Sequence, residues 1–282
     1  MPVTDVAVVT DAVSAEHFLP LWADYYGRQF GRDNLYVFCY GDSAPMQALG
    51  LGHVLPVKAS YNNMLRTALV NDLTERLLQR YAQVVRVDVD EFLAPDPRVH
   101  VDLAAFVAAS RAPYVTALGL DVVELEDETP LDLGQPLLAQ RRYAVKAAAY
   151  SKTALTRTRL AWGPGFHTTD APPAFGGLYL FHWKFADAAR RLRWLDGMVE
   201  ASGDDEGHRA HFHAAGREFR KTLQTFRALP RRDDDSALGD PGFADRLVAA
   251  ARRGDDGQFR YPGAGATDRV LSAIPSAFRG LL

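Results

Sequence analysis

The stretch 84–93, VVRVDVDEFL, constrains this chain more than any other: a β-branched apolar run breaks off into three acids, Asp88, Asp90 and Glu91. Such a run reads as a buried parallel strand delivering charge to its carboxyl end, where open α/β sheets bind ligands. Alternate residues of an extended strand share a side, so Asp88 and Asp90 would repel each other unless a cation lay between them. A divalent ion is the simplest such cation, and hard oxygen ligands favour Mg²⁺ or Mn²⁺. Glu91 then faces elsewhere, towards backbone or an arginine. The competing reading is a set of acids that cap a loop or pair with arginines, since a bare D-x-D is common by chance.

Upstream, strand and helix signals alternate. Residues 6–10 read as a short buried strand with Asp11 directly after it. Ser14 is placed to cap an amphipathic helix running to about Phe30, with Phe18, Leu21, Trp22, Tyr25 and Tyr26 near one face and Gly31 at its end. Further strands are expected at 35–40, closed by Gly41-Asp42-Ser43, and at 54–57. A long helix over 63–81, with Leu65, Leu69, Leu73, Leu77 and Leu78 as its stripe, leads into the acidic stretch. This order predicts a parallel sheet with right-handed crossovers.

Downstream, Pro95 and Pro97 bar a helix, Asp102 caps a short one through Ser110, and a strand over 113–118 ends near Asp121 and Glu124. The acidic span 124–132 reads as an exposed loop. From Arg141 the pieces RRYAVKAAAY, KTALTRTRLAW and GGLYLFHWKF suggest antiparallel strands around the turn-rich GPGFHTTDAPP. Helices follow at 186–198 and 215–229, the latter an amphipathic core helix despite its arginines, then an exposed charged linker at 231–235 and short helices at 243–252 and 268–273. The expected fold is α/β, a Rossmann-like, mostly parallel sheet flanked by helices, with an antiparallel extension and C-terminal helices. With 282 residues, 48% of them hydrophobic, the chain is large enough for one large domain or two small ones.

If 178–185 is a strand, His182 and Lys184 share its polar face and Phe181, Trp183 and Phe185 the other. A lone strand histidine is more often a satisfied core or surface residue, yet an imidazole accompanying two carboxylates suits Mn²⁺, and Lys184 can neutralise a phosphate. Three of the five lysines, Lys146, Lys152 and Lys184, fall in this region. His208, His211 and His213 after Asp204, Asp205 and Glu206 imitate a metal cluster but lack an apolar frame and read as a solvated or mobile active-site loop. No dinucleotide, P-loop, nucleophile-elbow or zincin motif is present. A net charge of −3 gives no field that would draw the whole molecule to nucleic acid or an anionic membrane. The single cysteine, Cys39, fits a reducing compartment. With no signal core and no apolar run near the roughly 18 residues a membrane span needs, a soluble, cytoplasmic protein is expected.

In order and spacing, W-x-x-Y-Y (Trp22, Tyr25, Tyr26), DVDEFL (88–93), SKTALTR and WGPGFH (within 151–167) and LFHWK (180–184) resemble bacterial family 2-type glycosyltransferases, the group whose D-x-D is followed by Glu-Phe. The resemblance spans roughly 6–190. It implies a GT-A fold over 1–230, with a nucleotide-sugar half at about 1–110 and an acceptor half at about 111–230, and 231–282 as a C-terminal helical extension. It further implies hexosyl transfer from a nucleotide-diphosphate sugar, UDP-sugar favoured, to a glycan or glycoconjugate hydroxyl, with Mn²⁺ or Mg²⁺, in polysaccharide biosynthesis at the cytoplasmic membrane face. On this resemblance Asp88, Asp90 and His182 hold the metal. Asp11, Asp42, Arg66, Asp88, Lys152 and Lys184 bind donor, and Trp162 and His167 meet acceptor or phosphate. Asp121, Glu124 and Asp170 are the candidate bases of an inverting reaction. The chain departs from the family at Thr10-Asp11, where asparagine-glutamate is usual. The alternatives are a nucleotidyltransferase using the same metal and a non-catalytic nucleotide-sugar or glycan-binding module.

Overall fold

The computed structural model describes residues 5–13, 18–201, 206–234, 238, 241–261 and 268–282. The first strand, β1 (Val6–Val13), runs past the expected 6–10 and takes Asp11 into its buried end. Helix α1 (Leu19–Phe30) buries Trp22, Tyr25, Tyr26 and Phe30. It stops at Gly31, whose φ of +88° is one a glycine adopts freely. Ser14, the expected cap, lies outside the described residues. After β2 (Leu35–Tyr40), wholly buried, come α2 (Ala44–Gln47), β3 (His53–Val57) and α3 (Asn63–Leu77). Asn62 caps α3 by accepting from the Leu65 N–H at 2.9 Å. The buried stripe of α3 is Arg66, Thr67, Val70, Thr74 and Leu77, with Leu65, Leu69 and Leu73 only half-buried. The helix is rotated from the orientation its leucines suggest, and Arg66 thereby faces the sheet.

The stretch 84–93 is two strands. β4 (Gln83–Arg86) ends two residues before Asp88, the chain turns at 87–90, and β5 (Glu91–Pro95) follows. The Glu91 N–H bonds the Asp88 carbonyl at 3.1 Å, and the Glu91 carboxylate accepts from the Asp88 N–H at 2.9 Å. Strand alternation therefore does not relate Asp88 to Asp90. The break arises because β4 pairs with β1, whereas β5 pairs elsewhere, with β9 (Phe175–Phe185).

Between them lie α4 (Leu103–Ala109), capped by Asp102, then β6 (Tyr114–Val123), β7 (Tyr143–Lys146) and β8 (Thr153–Thr156). β6 outruns the expected 113–118 and carries Asp121 within it. Beyond β9, α5 (Ala188–Ala201) is followed by α6 (Glu206–Arg227), whose first turns include the exposed His211 and His213. A helix thus stands where a loop was expected; Asp204 and Asp205 lie outside the described residues. β10 (Arg231–Arg232) replaces the expected linker. After α7 (Pro241–Ala250) and the hairpin β11 (Arg252–Arg253) to β12 (Phe259–Arg260), β13 (Leu271–Ala273) replaces the helix expected at 268–273. Both are set by pairing: β13 lies between β10 and β7 with Leu271 and Ser272 buried, and such tertiary pairing overrides local propensity.

Among the described residues eleven strands form one sheet, whose main path is β10-β13-β7-β6-β8-β4-β1-β2-β3. The central block β3-β2-β1-β4 is parallel, a Rossmann-like order in which the chain reverses direction of travel at β1 and β4. β8 runs antiparallel to β4 and begins the antiparallel extension, from which β9 and β5 branch beside β6. Successive residues of the parallel strands face opposite cores. Val6, Val8, Leu35, Val37 and Val85 pack with α1, whereas Ala7, Val9, Tyr36, Phe38 and Val84 pack with α3. A third cluster seats Phe219, Leu223 and Phe226 of α6 on Phe185 and Val123. Among the described residues no helix is long and apolar enough to cross a membrane.

Candidate active site

A cleft of about 330 Å³ opens at the carboxyl ends of β1 and β4, the switch point of the parallel block. Asp11, Arg66, Asp88, Asp90, His167, His182 and Lys184 line it, as do four residues that sequence reading did not single out, Tyr61, Tyr150, Arg191 and Trp194.

One end is a chain of alternating charges. Asp11 Oδ1 accepts from Arg66 Nη2 (2.8 Å) and Arg86 Nη2 (2.9 Å), and its Oδ2 accepts from Arg66 Nε (2.8 Å). The same two Nη2 atoms donate to Asp88 Oδ1, at 3.0 and 2.7 Å. Lys152 Nζ donates to Asp88 Oδ2 at 3.0 Å and pairs with Glu91 Oε1 at 2.7 Å. Asp11, Arg86, Glu91 and Lys152 are all at least 96% buried, so each charge depends on its partners. Burial works to raise the Asp88 pKa, yet Arg86, Lys152 and Arg66 hold it well below the ordinary carboxylate value. Phe166 supports the arginines from beneath: its ring centre lies 3.3 Å from the Arg86 guanidinium carbon and 4.9 Å from that of Arg66. It holds φ at +63°, a conformation that costs a non-glycine residue about 1 kcal/mol or more and that the G-P-G-F-H turn imposes.

His182 organises the middle of the cleft. Its Nδ1 lies 2.6 Å from Asp121 Oδ1 and its Nε2 3.6 Å from Asp90 Oδ2. The Tyr150 ring covers it at 3.9 Å between ring centres. Burial alone would lower the His182 pKa; Asp90 and the hydrogen bond to Asp121 outweigh it and lift the imidazole to about 9. The pKa of Asp90, which burial would raise, is lowered by His182. The Trp183 N–H bonds the Asp90 carbonyl at 3.0 Å and ties the 87–90 turn to β9.

For Mn²⁺ or Mg²⁺ the expected ligands separate into two groups. Both Asp88 oxygens already accept from cationic donors. Asp90 is partly open to the cleft, and His182 has its Nδ1 against a carboxylate with Nε2 turned to Asp90, the arrangement that orients a metal-binding imidazole. Among the described residues no three His, Cys, Asp or Glu side chains converge as a ligand set. Asp90 and His182 are the two side chains that could hold an ion, which would then need water or phosphate oxygens to complete its shell.

The other expected residues lie at varied distances from the cleft. Lys184 lines it. His167 does too, with Nδ1 2.5 Å from the Ala149 carbonyl. Lys152 enters only through Asp88. Asp121 is 2% exposed and stands behind His182. Glu124 accepts from the Ala188 N–H at the start of α5 and pairs with Arg227, and Asp170 is an exposed residue accepting from the Ala161 N–H; none of these three carboxylates lines the cleft. Asp42 is exposed and accepts from the Ala44 N–H. Trp162 is buried against α3, its indole donating to the Thr153 carbonyl at 3.0 Å. Arg86 was missed although it has a sequence signal, an arginine inside the apolar run VVRV, which cannot be buried without carboxylate partners. Arg191 and Trp194 have none, because only the docking of α5 brings them to the cleft.

No family model matches the sequence, and neither does any curated protein. Among solved structures, the chain is similar to a cytidylyltransferase from Leptospira borgpetersenii serovar Hardjo-bovis, with 13% identity and a TM-score of 0.27 over 40% of this chain. The match spans about half, 54%, of that protein's length. It is also similar to a mannose-1-phosphate geranyltransferase from Thermus thermophilus, with 7% identity and a TM-score of 0.29 over 78% of this chain and 68% of that one.

Proposed function

We propose that the protein is a metal-dependent glycosyltransferase of GT-A type, moving a sugar from a nucleotide-diphosphate sugar to a hydroxyl of a glycan or glycoconjugate. The observation that carries this reading is the Asp90–His182 pair at the switch point of the parallel strands, beside Arg66, the cation of the buried network that lines the cleft. Glycosyl transfer leaves negative charge on the departing diphosphate, and preorganised cations stabilise it. Mn²⁺ or Mg²⁺ bound at Asp90 and His182 would supply a Lewis acid there. Asp121 holds the imidazole orientation. Asp11 and Arg66 lie at the end nearest Tyr61, whose half-exposed ring offers a stacking face to a nucleobase.

One observation favours a second reading, a nucleotidyltransferase. Asp121, Glu124 and Asp170 do not line the cleft, and a sugar phosphate attacking a nucleoside triphosphate is already anionic and needs no general base. Calorimetric titration with UDP and GDP, with and without Mn²⁺, tests what the two share: metal-dependent binding is expected, and Asp90→Asn should abolish the metal enhancement. Binding of neither nucleotide would sink both readings. Turnover separates them, since release of nucleoside diphosphate marks glycosyl transfer and release of pyrophosphate marks nucleotidyl transfer.

A further inference from the structure

Beyond Asp90 the cleft opens into a small recess of about 40 Å³, walled by Phe18, Trp183 and Trp194 and by Lys184, Arg190 and Arg191. The recess has room for one small group and not for a sugar ring. Its charges are uneven. Asp187, which also lines it, is committed: Oδ1 accepts from the Arg190 N–H (2.8 Å), and Oδ2 from Arg190 Nε (3.3 Å) and the Leu131 N–H (3.2 Å). Asp90 is turned to His182. The three cations of the neighbouring network are matched by Asp11, Asp88 and Glu91. That leaves Lys184 and Arg191 side by side, and among the described residues neither reaches a carboxylate within ion-pair distance.

Two further features point the same way. Arg191 Nε and the indole Nε1 of Trp183, both N–H donors, are buried and without a hydrogen-bond partner among the described residues. Buried donors of this kind cost free energy until an acceptor meets them. The Arg191 guanidinium lies over the Trp194 ring at 4.3 Å, which fixes its planar fork before any ligand arrives.

Resting on the transferase reading above, we propose that this recess receives an oxyanion, a carboxylate or phosphate carried by one of the two sugars being joined. Arg191 and Lys184 supply the charge, and the Trp194 ring holds the Arg191 guanidinium in place.

The test is calorimetric titration of wild type and Arg191→Gln with neutral and acidic twins. UDP-glucose and UDP-glucuronate with Mn²⁺ probe the donor; methyl glucoside, methyl glucuronide and glucose 6-phosphate probe the acceptor. UDP alone is the control. At least one acidic twin should bind wild type about tenfold more tightly than its neutral partner, as one charge-assisted pair permits. Arg191→Gln should erase that preference and keep the UDP affinity. Equal binding of every pair, a preference that survives Arg191→Gln, or a loss of UDP affinity matching that of the acidic sugar would overturn the proposal. If UDP binds neither protein, the transferase reading fails by itself, while the free-saccharide pairs still decide the recess.

Discussion

His182 shows how far one residue's environment sets its chemistry. Its folded pKa of about 9 stands above the ordinary 6.5, so the native state binds this proton more tightly than the unfolded chain does. The resulting stabilisation, about 3 kcal/mol as an order of magnitude, is fully present below pH 6.5 and is lost as pH rises through 9. Urea unfolding in chelated buffer at about pH 6 and about pH 10 should therefore show wild type much more stable than His182→Gln at the lower pH and nearly level with it at the higher. A gap of constant size would refute the assignment. The same paired-charge reasoning makes Arg86 legible in the sequence, because an arginine inside an apolar run demands a carboxylate. Its partners, Asp11 and Asp88, are 75 and 2 residues away, and only the nearer is suggested by local pattern.

Among the elements, β6 matters most for the site. The turn 147–151 lies against it at Gly119, where a Cβ would come 2.3 Å from the Tyr150 carbonyl carbon and 2.6 Å from the Ser151 nitrogen. No side chain fits there without moving the segment that carries both Tyr150 and Lys152. Gly119→Ala should cost about 1–3 kcal/mol in urea unfolding and, on the proposed transferase reading, weaken Mn²⁺-dependent UDP binding. Unchanged values of both would show that the turn's position does not matter. Strands β2, β3 and β9 and the cap of α4 were readable from short apolar or alternating runs and from Asp102, because those signals are local. The break between β4 and β5 was not, since it depends on β9, some eighty residues on, competing for the chain after Asp90.

At the scale of the whole molecule, residues after 230 belong to the structure that holds the cleft. β13 pairs with β7, and Phe278 packs on Tyr179 and Phe181 of β9, with ring centres 5.5 and 5.6 Å apart. A chain ending at 230 would expose the β7 edge and those aromatic faces. It should lose cooperative thermal unfolding and aggregate, whereas an unchanged unfolding midpoint would make 231–282 a separate appendage. By itself the sequence determined the α/β alternation, the parallel block and the acids at its switch point, because hydrophobic period and capping act over a few residues. Tertiary structure alone decided that Asp88 joins an arginine–lysine network while Asp90 turns to His182. It also decided that α5 brings Arg191 to the cleft. Those outcomes rest on which distant charges are buried together, and a buried charge takes its state from neighbours that linear order does not reveal.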